Sequence, residues 1–197
     1  ATTCSVPLSE GVGSANYRVD ASSTGLFATG NATYLLDTST PQLNGSANGV
    51  VGTNGWYKSD VTLSVTPSDT ISGIASTTVT VDGGAQSIYS APITVSDGIH
   101  TVTLSTIDNA GNITQTTQTF HIDMVTPALN VSLSGSTGLS NWYISTVTVT
   151  PTASDTGSGI ASLEVSIDGS AFTNYPAPIT FSDGIHSYQF RATDNAG

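Results

Sequence analysis

Basic residues are almost missing from this chain. Arg18, Lys58 and Arg191 are the whole set, against 14 acidic residues, and the net charge over 197 residues is −11. Nothing here could neutralise a phosphate backbone, which argues against nucleic acid as a partner. Adsorption to anionic lipid is disfavoured for the same reason. Charge of either sign is scarce, at 9% of residues, where about a quarter is usual. Glu occurs only as Glu10 and Glu164, and no Glu pair for sugar hydrolysis is evident. Cys4 is the single cysteine, so no disulfide framework exists within the chain; a stray thiol, an intermolecular bridge and a lipid anchor all remain open for it. No run of 18 apolar residues occurs, so no segment is expected to insert in a membrane. No signal peptide is visible, which for an exported protein implies mature sequence or an internal fragment.

Thr and Ser are what the chain has in place of charge: together they supply 60 residues. Branched Thr packs well on a pleated face, so the composition favours β-structure. A polar, weakly charged surface of this kind points to an extracellular or cell-surface location. Asn31, Asn44, Asn112 and Asn130 each open an Asn-x-Ser/Thr triplet, the acceptor sequence for N-linked sugar. In so Ser- and Thr-rich a chain such triplets also arise by chance.

The strongest signal is internal. Residues 37–111 return without a gap as residues 123–197, at a constant offset of 86, with 40 of 75 positions identical. Trp56-Tyr57 returns as Trp142-Tyr143. Ser72-Gly73-Ile74-Ala75-Ser76 returns as Ser158-Gly159-Ile160-Ala161-Ser162, and Ser96-Asp97-Gly98-Ile99-His100 as Ser182-Asp183-Gly184-Ile185-His186. A long, strict period means an array of small domains. It also argues against a single active site, because every candidate occurs twice.

Within one period the apolar residues alternate. Val61, Leu63 and Val65 flank Thr62 and Ser64; Val79 and Val81 flank Thr80; Val102 and Leu104 flank Thr103; Phe120 and Ile122 flank His121. The second copy keeps this with Val147 and Val149, Val165 and Ile167, Ile179 and Phe181, Tyr188 and Phe190. A period of two buries one face of a strand and wets the other. Asp82-Gly83-Gly84, Ala91-Pro92, Asp97-Gly98 and Asn109-Ala110-Gly111-Asn112 read as turns. Strands are expected to begin near Leu43, Val61, Thr77, Gln86, Ile93, Thr101 and Ile113. The expected fold is all-β: tandem immunoglobulin-like β-sandwiches of about seven strands each. Residues 37–122 form one repeat and 123–197 a second that lacks its last strand. Residues 1–36 read as the C-terminal part of a preceding repeat, or as a donor-strand segment: Ser9-Glu10-Gly11 aligns with Ser96-Asp97-Gly98, and Tyr34 and Leu36 align with Phe120 and Ile122.

Taken in order, Trp56-Tyr57, Asp69 with Ser72-Gly73-Ile74, Val81-Asp82-Gly83-Gly84, Asp97-Gly98-Ile99-His100, Asp108-Asn109-Ala110-Gly111-Asn112 and the closing Ile122-Asp123 resemble the bacterial immunoglobulin-like repeats found in tandem in large secreted and surface-anchored proteins. The resemblance implies a stalk, an adhesin shaft, a filament subunit or a spacer in a secreted hydrolase, and does not choose among them.

Candidate chemistry is sparse. His100 and His186 follow Asp-Gly turns and read as turn-packing residues, and His121 has Leu35 at its place in the opening segment. No Ser, His and Asp constellation with nucleophile spacing occurs, so the chain is not expected to be an enzyme, and no cofactor is implied. The Asp residues recur in a pattern. Following strand directions gathers Asp82, Asp97, Asp123, Asp155 and Asp194 at the junction between repeats, where few cations could balance them. Calcium takes six to eight oxygens and would suit such a junction. Equally, each Asp could cap its own turn. Trp56 and Trp142 could stack on sugar, or plug the end of a sandwich or a domain interface.

The expected function is therefore a structural or adhesive extracellular repeat protein, a semi-rigid rod or surface filament. Its partners would be copies of itself or neighbouring repeats, and cell-surface glycans. Head-to-tail donation of a strand near Ala32–Leu36 to the incomplete last repeat would build a filament. The alternative is an accessory spacer or carbohydrate-binding region of a secreted polysaccharide-degrading enzyme.

Overall fold

A computed structural model describes residues 8–21 and 26–197; Cys4 lies outside them. Every regular element among the described residues is a strand. β1 (Gly11–Ala21) and β2 (Leu26–Leu36) form an antiparallel hairpin, in register from Gly11↔Leu36 to Ala21↔Leu26. Then come β3 (Gln42–Asn48), β4 (Trp56–Tyr57), β5 (Val61–Ser68), β6 (Ile74–Val81), β7 (Ser87–Ile88), β8 (Ile93–Val95), β9 (Gly98–Asp108) and β10 (Ile113–Ile122). The second sequence copy supplies β11 (Ala128–Ser134), β12 (Val147–Ser154), β13 (Ile160–Ile167), β14 (Thr173–Asn174), β15 (Ile179–Phe181) and β16 (Tyr188–Asp194).

The architecture is all-β and sandwich-like. Sheet β3-β5-β8 corresponds, 86 residues on, to sheet β11-β12-β15. Sheet β4-β10-β9-β6-β7 corresponds to β14-β13-β16, without counterparts of β10 and β4. The correspondence extends to register: Val79 lies opposite Leu104 and Val165 opposite Phe190, and both pairings slip at the same place, Ile74/Ser76 and Ile160/Ser162. Identical slips at identical offsets are a built feature of the strand and not a local accident.

Local sequence accounts for the pairing. On β9, Val102, Leu104, Thr106 and Asp108 are buried while the residues between them are half-exposed. That is the period-two pattern of a strand with one face on a core. The turn after β6 places Asp82 and Gly83 at φ of 52° and 67°, a conformation that Asp tolerates and Gly adopts without strain, and one that matches the twist of a hairpin. β4 is a two-residue strand with no alternation to reveal it. It lies parallel to the end of β10, with His121↔Trp56 and Ile122↔Tyr57.

The chain divides into two compact units. The first takes the described residues up to Ser46 with Leu63–Ile93 and Thr101–Gln118; the second takes Ala47–Thr62, Thr94–His100 and Thr119–Gly197. In the first, Leu63, Val79, Val102 and Leu104 are buried. In the second, Val61, Val95, Phe120, Ile122, Val149 and Val165 are buried. The boundary between the sequence copies, at 122/123, falls inside the second unit.

Candidate cation site and repeat junction

Two triads of carboxylates form among the described residues: Asp37, Asp69 and Asp108 in the first unit, and Asp123, Asp155 and Asp194 in the second. In each, one oxygen from every member lies within 4.8 Å of the others. The triads are the same three positions, 86 residues apart. Each draws one Asp from the segment entering the copy, one from the turn before β6 or β13, and one from the end of β9 or β16.

The first triad is a set of turn caps. Asp69 Oδ1 accepts the backbone N–H groups of Ile71, Ser72 and Gly73 at 3.1, 2.9 and 2.9 Å. Asp108 is 1% exposed. Its Oδ1 accepts from Ala110, Gly111 and Asn112, and its Oδ2 accepts from Asn112 Nδ2 at 2.8 Å. Asp37 Oδ1 accepts from Ser39 N and Oγ, and its Oδ2 accepts from Ser72 N at 3.0 Å. Hydrogen bonds to the ionised form hold a carboxyl below its usual range. Ser72 and Ser39 do this for Asp37. For Asp108 burial pushes upward, but the bonds from Asn112, Gly111 and Ala110 outweigh it and the net direction is down.

The second triad is less fully bonded. Asp123 is 2% exposed; its Oδ1 accepts from Val125 N at 3.0 Å and its Oδ2 from Ser158 N at 2.7 Å. Burial raises its pKa, the bonds from Ser158 and Val125 lower it, and the net direction is down. Asp155 Oδ1 accepts from Gly157 and Gly159, and Asp194 Oδ1 from Gly197. Asp155 Oδ2 is buried and has no hydrogen-bond partner. A buried carboxylate oxygen without a donor is costly. Gly157 lies so close that a Cβ there would sit 2.5 Å from Asp123 Oδ1.

Of the five carboxylates expected at the junction, the structure brings three together. Asp82 is not among them: it belongs to the first unit and its Oδ1 accepts from Thr101 N, on the neighbouring strand β9, at 2.7 Å. Asp97 reaches Met124 N at 2.8 Å, next to Asp123, but joins neither triad. In both, a backbone N–H distant in sequence takes the carboxylate: Thr101 lies 19 residues from Asp82 and Met124 27 residues from Asp97.

Around Asp123 the two sequence copies meet within the second unit. Asp123 N donates to Tyr57 O at 2.9 Å, and Thr53 N donates to Ala196 O at 2.9 Å. Thr53 Oγ1 and Asn54 Nδ2 donate to Asn195 O at 2.8 and 3.1 Å, and Lys58 Nζ donates to Gly197 O at 2.9 Å. Gly52 is required by this approach, since a Cβ would stand 2.3 Å from Ala196 O.

The other singled-out residues have structural surroundings. His186 Nδ1 lies 3.0 Å from Asp168 Oδ2, and its ring stacks on Phe181 at 4.8 Å. That histidine contact is the leading reason Asp168 sits below the usual carboxylate range. Trp56 meets His121 edge-on at 5.2 Å, whereas Trp142 is 61% exposed. Asn31, Asn44 and Asn130 are exposed. Asn112 is half-buried and donates to both Asp108 Oδ2 and Asp37 O, so a sugar on its nitrogen would cost one of those bonds.

No family model and no curated protein matches the chain.

Proposed function

We propose that the chain is a load-bearing stretch of an extracellular structural or adhesive repeat protein, built from tandem immunoglobulin-like sandwiches over residues 37–122 and 123–197. Residues 1–36 are the end of a preceding repeat. The reading is carried by the junction. A flexible array would join its copies through a solvated linker. Here the linker Asp123 and Met124 are bonded to Tyr57 and Asp97, and the loop at Thr53–Asn54 is bonded to Asn195 and Ala196. Those bonds favour a semi-rigid rod. Alignment of the full chain in a dilute liquid-crystalline medium tests it by NMR: amides of residues 47–62 and 123–197 should share one alignment tensor. Two independent tensors would overturn the rod.

The same junction supports calcium at Asp123, Asp155 and Asp194. Calcium–oxygen bonds of about 2.3–2.6 Å place ligand oxygens no more than about 5 Å apart, which suits the spacing of the triad. Asp155 Oδ2 is the oxygen left without a donor. Asn31, Asn44 and Asn130 suit N-linked sugar better than Asn112 does, because their amides are exposed.

A further inference from the structure

Asn-Gly occurs in the chain at Asn44-Gly45, Asn48-Gly49 and Asn54-Gly55, all in the first copy. The corresponding pairs of the second copy are Asn130-Val131, Ser134-Gly135 and Ser140-Asn141. An Asn before Gly is a labile amide, because Gly has no side chain to hinder its nitrogen. That nitrogen attacks the Asn Cγ. The new C–N bond closes a succinimide ring, and the side-chain nitrogen leaves as ammonia. Water then opens the ring to aspartate or isoaspartate, so the reaction needs no reagent but water.

The three pairs are held differently. Asn44 and Asn48 lie within β3, which pairs with β5. Asn54 and Gly55 form a tight turn, with φ of 53° and 82° and Trp56 N donating to Thr53 O at 2.9 Å. That is a type I′ turn, which Asn-Gly favours. The second copy makes the same turn with Ser140 and Asn141, at φ of 54° and 64°, and Trp142 N donates to Leu139 O. The turn therefore does not require Asn-Gly.

In a type I′ turn the backbone of the first central residue points the next nitrogen away from its own Cβ. Gly55 N cannot reach Asn54 Cγ until the turn opens. Within the second unit the turn is also clamped from outside. Thr53 N donates to Ala196 O, and Thr53 Oγ1 and Asn54 Nδ2 donate to Asn195 O at 2.8 and 3.1 Å. The amide that would react is itself one of the bonds of the junction.

We propose that Asn54 is a site of spontaneous deamidation gated by the junction. The amide persists while Thr53 and Asn54 are bonded to Asn195 and Ala196. Once they part, the turn opens and the ring closes. The product cannot restore the contact, because a carboxylate has no hydrogen to give Asn195 O. Opening of this junction thereby becomes permanent. The proposal uses the same bonds as the rod but fails separately from it: a single alignment tensor with a labile Asn54 overturns the gate and leaves the rod standing.

Peptide mapping by mass spectrometry, on the full chain held in mildly alkaline buffer, reads the reaction at each Asn. A synthetic peptide of residues 51–60 sets the ungated rate, and should lose its Asn54 amide at least about tenfold faster than the chain does. Gly52→Ala, whose Cβ would stand 2.3 Å from Ala196 O, should speed the loss at Asn54 and leave the rate at Asn44 unchanged. Thr53→Val removes the Oγ1 donor without adding bulk and should act in the same direction, with unchanged circular dichroism. Asn54→Asp should raise hydrogen exchange at Thr53 N–H, the donor to Ala196 O, by about tenfold. Loss at Asn54 as fast in the chain as in the peptide overturns the proposal, as do two variants that match the wild-type rate. Unchanged exchange at Thr53 in Asn54→Asp also overturns it, because the acid then leaves the junction closed.

Discussion

At the scale of single residues the Asp side chains decide most. Asp108 is nearly fully buried, yet both of its oxygens accept hydrogen bonds within the turn it caps. Its lowered pKa, and that of Asp37, have a definite consequence. Both fall below the ordinary 3.8 on folding. A depressed folded value contributes stability that is fully present above the unfolded value and is lost as pH falls through the folded one. The thermal midpoint, measured without calcium, should hold between about pH 7 and 5 and then fall steadily below 3.8. Asp108→Ala should lower the midpoint by several degrees at pH 7 and flatten that acid slope. Asp60→Ala, at an exposed position, should leave the midpoint within about a degree. A wild-type midpoint that is flat to pH 2.5 would contradict the capping account. The capping role was legible in the sequence, because Asp followed two to four residues later by Ser, Gly or Asn is a local signal. The grouping of Asp123, Asp155 and Asp194 was legible from strand direction. The exclusion of Asp82 and Asp97 was not, because strand direction says which end an Asp occupies and not which backbone N–H it meets.

At the scale of elements, alternation located the long strands well. β5 starts at Val61 and β8 at Ile93, β10 at Ile113, all as the pattern predicts. β6 and β9 begin three residues earlier than Thr77 and Thr101, since their first residues include Gly98 and Ala75, which carry no apolar signal. β4 was not visible at all: two residues have no period, and Trp56-Tyr57 becomes a strand only because β10 lies beside it. This dependence can be measured. Phe120→Ala removes a fully buried ring from the place where β4 and β10 meet, and should destabilise the first copy by about 3–5 kcal/mol. Ile185→Ala, at a position 89% exposed, should change stability by less than about 0.5 kcal/mol. Equal losses in a urea titration of the two variants would mean that the buried Phe120 ring contributes no more than an exposed side chain.

At the scale of the whole chain, the repeat is nearly exact in register, and the second unit holds the place where the two copies meet. The composition leaves only Arg18, Lys58 and Arg191 as cations. Lys58 is bonded to Gly197 O, and Arg191 is bonded to Glu164 at 2.7 Å. Neither bond goes to a triad Asp, so three carboxylates packed within 4.8 Å rely on backbone N–H groups and on whatever cation the solvent supplies. In the first triad the backbone donors suffice. In the second, an oxygen of Asp155 is left over. Calcium at about 1 mM should therefore raise the melting temperature of the chain, and chelation should reverse the gain. Asp155→Asn should abolish that response while keeping an oxygen to cap Gly157 and Gly159. Asp69→Asn, the matching change in the first triad, should leave the response intact. Differential scanning fluorimetry across a calcium titration separates these outcomes. A wild-type melting curve identical with calcium and with chelator would mean that the second triad, like the first, only caps its turns. The rigidity of the junction would then rest on the direct bonds between the copies: Thr53, Asn54 and Lys58 to residues 195–197, Asp123 to Tyr57 and Met124 to Asp97.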